Sequence, residues 1–362
     1  MAYLQPYRTS DSSRKITTYL FKNTSRYFAF DFGSNDIPIS DIKKLDYIFI
    51  THEHMDHFLG LCNLEYVEAL LSSKCDIYAS NVTKDLIIAI FENSIRVEMD
   101  EKTTKKVREL LHKIKGVYFY QKYQLTQGLY FRLFPSGHTY GSAMVYLNGT
   151  EHKMFYTGDF DYSPDDEDRQ YKFELEENEE VNYLIIDGTY LDSNKFKDEA
   201  LNQIRDNIIV RGYNNFYCKP EKIVFFSKKL VSVPKIGTKY CVVLSSEMKW
   251  YLDILRKYNY NPFIVDKIVL ESSIYELPEK RTPIFVTAKK KGKYTPVTGL
   301  LGLHINFQEI IYFLQRFSFN KTKVLVGHYD AEKKNNIIKT FRTSYEVADY
   351  QVFVLDEEQF DL

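Results

Sequence analysis

The sequence predicts a layered α/β body carrying a second, smaller α/β segment, on three observations. In the first half, short apolar runs of strand length alternate with amphipathic runs of helical length. Between residues 195 and 295 the alternation repeats with strands of its own, and a closing helix, strand and helix then resume the pattern of the first half. The 362 residues are 44% hydrophobic and include 30 Tyr and 26 Phe, enough for an extensive core and too apolar for a disordered chain.

Taken in order, ITTYLF, RYFAFDF and LDYIFIT read as strands, and a helix-like stretch starts near Phe58. CDIYAS, GLYFRLFP, SAMVYLNG and KMFYTGD read as further strands, with helices around residues 82–94 and 101–115 between them. Strands in such a layered fold end in short polar turns, where ligating and catalytic groups tend to sit. Residues 161–180 (DYSPDDEDRQYKFELEENEE) are dominated by acids and read as a solvated excursion before the strand VNYLIID. A helix over KFKDEALNQIRDNIIV opens the second segment, whose strands are KIVFF, YCVVLS, NPFIVDKIVL and TPIFVTA. HINFQEIIYFLQRF, TKVLVGHYD and a helix from Ala331 close the chain and rejoin the first layer. The expected domains are therefore residues 1–194 and 296–362, forming one body, and an inserted lobe at 195–295.

Cys62, Cys75, Cys218 and Cys241 are scattered without a CxxC pair, which fits reduced core thiols better than a zinc ribbon or a disulfide framework. No apolar run approaches about 18 residues and no apolar segment follows the N-terminal charges. A soluble intracellular protein is expected, cytoplasmic or nuclear, not secreted, with no membrane partner. The net charge of -1 gives no global signal for nucleic acid, so any phosphate-binding surface must be local.

The chemistry concentrates in THEHMDH, directly after the apolar run DYIFI. On a loop leaving a strand, this spacing lets His52 and His54 reach one metal while Asp56 and His57 turn toward a second. His138 in SGHTYGS and Asp159 in YTGDF each follow a strand-like run, and an aspartate so placed can bridge two ions. Any one histidine alone reads better as an ordinary core or surface residue. The set does not: of eight histidines in the chain, four fall in HxHxDH or the GH turn, His304 and His328 lie in later motifs, and only His112 and His152 are left for a solvent-facing role. A metal pair of this kind lowers the pKa of a bound water from 15.7 toward about 7 and clamps the attacking and leaving oxygens of a phosphodiester.

At these residues the sequence resembles the metallo-β-lactamase superfamily, whose HxHxDH loop, later His and bridging Asp match THEHMDH, His138 and Asp159 in order and spacing. LIIDGTY, LHINFQEIIYFL and VLVGHYD are similar to three further motifs of the β-CASP nucleases, the group of the cleavage and polyadenylation endonuclease, RNase J and Artemis; they supply Asp187, His304 and His328. The resemblance runs from about residue 15 to residue 345. It implies an αββα sandwich with an inserted smaller α/β (β-CASP) lobe. It also implies two zinc ions, with manganese as the alternative. His52, His54 and His138 would hold one ion and Asp56, His57 and His328 the other, with Asp159 bridging. Asp187 and His304 would form a hydrogen-bonded pair in which His304 donates a proton to the leaving oxygen, so that Asp56, Asp187 and His304 are the expected catalytic groups. Asp187 also suits a helix N-cap, and His304 a capping or core role.

The implied activity is hydrolysis of phosphodiester bonds in nucleic acid, with RNA favoured over DNA. Family members that cut RNA usually read Val-His-Gly at the last motif, whereas this chain reads Val326-Gly327-His328; the Artemis group has Val and then Gly there, so the motif can equally be assigned to Val326. A DNA nuclease of the Artemis kind is accordingly one alternative. Others are a small-molecule hydrolase of the same fold, which needs no inserted lobe, and an inactive scaffold, which would lose ligands this chain keeps. A protein partner or a second copy of the chain stays open. Among local basic segments, each also readable as a solvated face, KKKGK is favoured as the nucleic-acid track: Lys289, Lys290, Lys291 and Lys293, with Tyr294 placed to stack on a base.

Overall fold

The computed structural model describes residues 2–9, 15–23, 25–149, 152–161, 175–176, 179–191, 206–210, 215–218, 220, 223, 226, 240–260, 268–276, 282–287, 295–296 and 306–362. The chain divides into two units, one made of Met1–Asn194 with Leu303–Leu362 and the other of Lys195–Gly302.

In the first unit, β1 (Tyr3–Arg8), β2 (Ile16–Lys22), β3 (Tyr27–Phe30), β4 (Tyr47–Phe49), β5 (Asp76–Ser80) and β6 (Lys115–Val117) come first in the chain. They are followed by β7 (Tyr123–Thr126), β8 (Leu129–Pro135), β9 (Ala143–Asn148), β10 (Lys153–Tyr156) and β11 (Tyr183–Asp187). The second unit holds β12 (Asn215–Tyr217), β13 (Tyr240–Leu244), β14 (Ile268–Leu270), β15 (Thr282–Thr287) and β16 (Thr295–Pro296). The chain then returns to the first unit with β17 (Lys323–Gly327), β18 (Gln351–Val354) and β19 (Phe360–Asp361).

Two seven-stranded sheets result, ordered β19-β1-β2-β3-β4-β5-β6 and β18-β17-β11-β10-β9-β8-β7. Their period-2 patterns decide the layering. In β4, Tyr47 and Phe49 join a core shared with Phe131, Val145 and Phe155 of the second sheet, while Ile48 joins a separate core with Val67, Leu70, Val107 and Leu110. Those last four belong to helices α1 (Leu64–Ser72) and α3 (Glu101–His112), which with α2 (Asn81–Ile90) cover the outer face of the first sheet. Ile310, Phe313 and Leu314 join the core that the second sheet shares. Helix, sheet, sheet and helix layers are the αββα sandwich that the resemblance implies.

The second unit has a five-stranded sheet ordered β14-β13-β15-β12-β16, parallel at every pairing. Helix α4 (Lys249–Lys257) follows β13 and buries Tyr251, Leu252 and Leu255. In the first unit, α5 (Phe307–Leu314) opens with a capping box between Asn306 and Glu309, and α6 (Lys334–Thr343) follows β17. No helix among the described residues is long and apolar enough to cross a membrane.

Four local readings change. The helix near Phe58 is three pieces: a single turn at Met55–Phe58, a 3-10 turn at Leu59–Cys62, and α1, which restarts because the Asn63 side chain accepts from the Glu65 and Tyr66 amides. KIVFF is not a strand where it is described, since Ile223 and Phe226 are helical and buried. A short apolar run cannot be told from a buried helix by its pattern, and a spacing of three puts both side chains on one helical face. The acidic stretch is anchored near its C-terminal end, where Glu179 is buried, accepts from Tyr130 at 2.7 Å and pairs with buried Arg132; residues 162–174 and 177–178 lie outside the described residues. His152 is half-buried against Phe21 and Tyr183 instead of facing solvent, whereas His112 is exposed. Cys62, Cys218 and Cys241 are buried thiols and Cys75 is half-buried; none of the four is in a disulfide. Of the helix over residues 195–210 only 206–210 are described, as one π-helical turn, and most of NPFIVDKIVL precedes the described β14.

Candidate metal centre

Four strand ends of the first unit converge. β4 runs into Thr51 and the HxHxDH loop, β8 into the turn of His138, β10 into Asp159, and β17 into His328. His52 and His57 are fully buried, His138, Asp159, Asp187 and His328 nearly so, and His54 and Asp56 are half-buried, which leaves one edge open to solvent. His54 lies in extended conformation just before the Met55–Phe58 turn, and that turn brings Asp56 and His57 to His328.

Two clusters form. In the first, His52 Nε2 lies 3.0 Å and His138 Nε2 3.1 Å from His54 Nδ1. In the second, His57 Nε2 and His328 Nε2 are 3.3 Å apart, and Asp56 Oδ2 is 3.7 Å from the former and 3.6 Å from the latter. Asp159 faces both. Its Oδ2 is 3.7 Å from His52 and 3.5 Å from His138, while its Oδ1 is 3.5 Å from His57 and 2.8 Å from His328. His52, His54, His138 and Asp159 thus form one group able to hold an ion, and Asp56, His57 and His328 another; Asp159, Asp187 and His328 form a third.

The donor chemistry fits a divalent ion at each place. Burial, reinforced by neighbouring imidazoles, pushes the pKa values of His52 and His54 well below the ordinary histidine value, so both rings are neutral and present lone pairs. For His57 and His328 burial acts the same way but is outweighed by carboxylates: Asp159, Asp31 and Asp56 raise His57, and Asp159, Asp187 and Asp56 raise His328 further. Burial pushes the Asp56 carboxyl up, and His57 and His328 more than offset it, so the group stays ionised. A divalent cation held by these residues would take the place of the protons that the facing groups otherwise share.

One residue essential to this arrangement, Asp31, was missed by the sequence reasoning. It is fully buried, follows β3, and adopts a left-handed backbone (φ 57°) that turns its carboxylate inward. Its oxygens accept from the Thr51 amide and hydroxyl, from the Tyr156 hydroxyl at 2.7 Å, and from His57 Nδ1 at 2.8 Å. Because the Thr51 hydroxyl proton goes to Asp31, Thr51 Oγ1 accepts from His52 Nδ1 at 3.0 Å. Both His52 and His57 are therefore held as the Nδ1–H tautomer, with Nε2 aimed at the clusters. The only sequence signal was an Asp at the end of a strand, in FDFGSND. Glu53, also missed, accepts from Thr139 Oγ1 at 2.8 Å and ties the HxHxDH loop to the His138 turn.

His328 also sits on a left-handed backbone (φ 48°), uncommon for a residue with a side chain. Thr189 holds it there by donating to the His328 carbonyl at 3.0 Å, and the Gly188 amide donates to the Gly327 carbonyl at 2.8 Å. Gly327 is required because a Cβ there would lie 1.9 Å from the Tyr19 hydroxyl oxygen. The Val326 side chain is wholly within the core, so His328 is the residue of this motif that reaches the clusters. Asp187 ends β11 with Oδ1 accepting from the Thr189 amide at 2.9 Å and lying 3.3 Å from His328 Nδ1, so it is both a turn-forming residue and a member of the centre. His304, Lys289, Lys290, Lys291, Lys293 and Tyr294 lie outside the described residues.

Residues 31–209, which carry most of this centre, match the β-lactamase superfamily domain. The chain is similar to an RNase J-like protein and to a cleavage and polyadenylation factor subunit. It is 25% identical over 163 residues to an RNase J-like protein of Methanocaldococcus jannaschii, covering 43% of this chain and 34% of that protein. It is 31% identical over 124 residues to cleavage and polyadenylation specificity factor subunit 3-II of Arabidopsis thaliana, covering 33% and 20% respectively. The chain thus spans about a third of the first relative and a fifth of the second. A crystal structure of a protein of unknown function from Enterococcus faecalis V583 shares the fold over the full length of both chains, with a TM-score of 0.57 at 12% identity.

Proposed function

We propose that this chain is a metal-dependent phosphodiesterase that cleaves nucleic acid, RNA in preference to DNA, inside the cell. The observation that carries the reading is the split of Asp159, one oxygen toward each cluster, which is what a carboxylate shared by two ions requires. In this reading His52, His54 and His138 hold one divalent ion, Asp56, His57 and His328 the other, both zinc or, alternatively, manganese. Such a pair would supply an activated water and offset negative charge on the phosphoryl oxygens.

The chain's own groups do the rest. Asp31 fixes two ring tautomers, and Asp187, with Thr189, holds the His328 turn. His304 is the proposed proton donor to the leaving oxygen. Asn306, two residues beyond it, bridges to Tyr190, three residues beyond Asp187, so the two segments run side by side at that point. Lys289, Lys290, Lys291, Lys293 and Tyr294 are the proposed nucleic-acid track, and the unit Lys195–Gly302 the proposed β-CASP lobe. The RNA preference rests on the names of the RNase J-like and cleavage-factor relatives.

The test is turnover of end-labelled RNA, single-stranded DNA and hairpin DNA of matched sequence with zinc or manganese. Cleavage of RNA that chelation abolishes is the expected result. Cleavage of hairpins or DNA ends alone would make the chain an Artemis-like nuclease, and turnover of small esters alone would place it among the small-molecule hydrolases of the fold.

A further inference from the structure

Lys15 stands at the edge of the centre and has no part in the ligand set. Two contacts fix its place. Thr18 Oγ1, on β2, accepts from the Gly33 amide, and Gly33 packs so closely on the Asp56 carbonyl that a Cβ there would lie 1.6 Å from it. On the same strand the Tyr19 hydroxyl packs on Gly327 and donates to the Ile16 carbonyl at 3.4 Å. The N-terminal end of β2 is therefore wedged between the Asp56 turn and the His328 turn, and Lys15 immediately precedes it, with its carbonyl bound to the Thr9 amide at 2.8 Å.

The side chain is half-buried. Burial works against its charge, and the field of Asp159, Asp56, Asp187 and Asp330 outweighs burial. Asp330 has a nearer partner in Lys333 at 3.3 Å. Among the described residues no carboxylate forms a direct ion pair with Lys15. Lys15 is thus a cation beside the start of β2, in the field of three site carboxylates, and forms no ion pair with any described one of them.

We propose that Lys15 is a substrate-binding residue that donates to a non-bridging phosphoryl oxygen of the scissile phosphate. The proposal rests on the phosphodiesterase reading and deepens it. Asp31, Asp56, Asp159 and Asp187 carry four negative charges against the four positive charges that two divalent ions would bring, and Lys15 leaves an excess of one. A phosphodiester brings one negative charge, so Lys15 supplies the charge that matches it.

The experiment measures binding of inorganic phosphate to the zinc-loaded protein by calorimetry, and hydrolysis of bis(p-nitrophenyl) phosphate, for the wild type, Lys15→Gln and Lys15→Arg. Loss of a charge-assisted hydrogen bond weakens phosphate binding about tenfold or more in Lys15→Gln, and Lys15→Arg recovers most of it. Zinc content stays at the wild-type level in both variants. Equal phosphate affinity in wild type and Lys15→Gln, no phosphate binding by the loaded wild type, or loss of zinc from Lys15→Gln would each overturn the proposal. The phosphate measurement needs no turnover, so an inert wild type that binds phosphate through Lys15 would overturn the phosphodiesterase reading and leave the Lys15 contact standing.

Discussion

At the scale of single residues, the centre depends on groups that ligate nothing. Asp31 receives four donors, and two of the chains of contact that start from it end on His52 and His57. Asp31→Asn keeps the size but offers an N–H where His57 Nδ1–H needs an acceptor, which disfavours the tautomer that aims Nε2 at the second cluster. Metal affinity at that cluster is expected to fall about 10- to 100-fold, as for other partners of metal-ligating histidines. A zinc titration with a competing chelator reads this directly, and wild-type affinity in Asp31→Asn would show that packing alone orients the rings.

The HxHxDH loop, His138 and Asp159 were legible in the sequence because ligand chemistry imposes residue types at fixed spacing. Asp31 and Glu53 were not, because an acceptor for a ring N–H or a hydroxyl is set by three-dimensional proximity and leaves no spacing of its own.

At the scale of elements, strand ends deliver the ligands and close backbone approaches fix where they point. β3 and the Met55–Phe58 turn meet at Gly33, where any side chain would collide with the Asp56 backbone. Gly33→Ala must therefore push that turn outward, carrying Asp56 and His57 with it. A loss of roughly 1–3 kcal/mol or more in stability is expected from the overpacking, together with loss of metal from the second cluster in preference to the first. Thermal unfolding with and without zinc checks both parts; a variant with wild-type stability and metal content would mean the turn adapts at no cost.

Most of the strands were readable because β2, β8 and β9 are apolar runs of six or seven residues, nearly all buried, whereas β6, β12 and β19 are two or three residues long and carry too little pattern. KIVFF was misread for the same reason.

At the scale of the whole molecule, the first unit is completed by its closing segment, since β17 joins the second sheet in parallel beside β11 and carries His328 to the centre. The return is clamped: buried Arg8 reaches Asp356 at 3.0 Å and the Tyr329 hydroxyl at 3.5 Å, and Lys334 also pairs with Asp356. Burial would push the Asp356 carboxyl up, but the hydrogen bonds from Lys334 and Arg8 bring it down to about 2 from an ordinary 3.8. A group depressed in the folded state stabilises above its unfolded value and loses that contribution as pH falls through its folded value. The stability difference between wild type and Asp356→Asn should thus be constant above about pH 4, shrink as the pH falls, and vanish near pH 2. A difference that persists unchanged to pH 2 would show that the charge of Asp356 is not what holds the return in place.

The central claim is that the two clusters are halves of one two-ion centre joined by Asp159, with His328 completing the second half. Metal content by mass spectrometry, on wild type and His328→Ala purified under identical conditions, tests it most directly. The account predicts about two zinc-type ions per chain in the wild type and about one in His328→Ala, because removing one imidazole leaves the second site under-coordinated while the first keeps all its ligands. Two ions retained by His328→Ala, or none bound by the wild type, would contradict it.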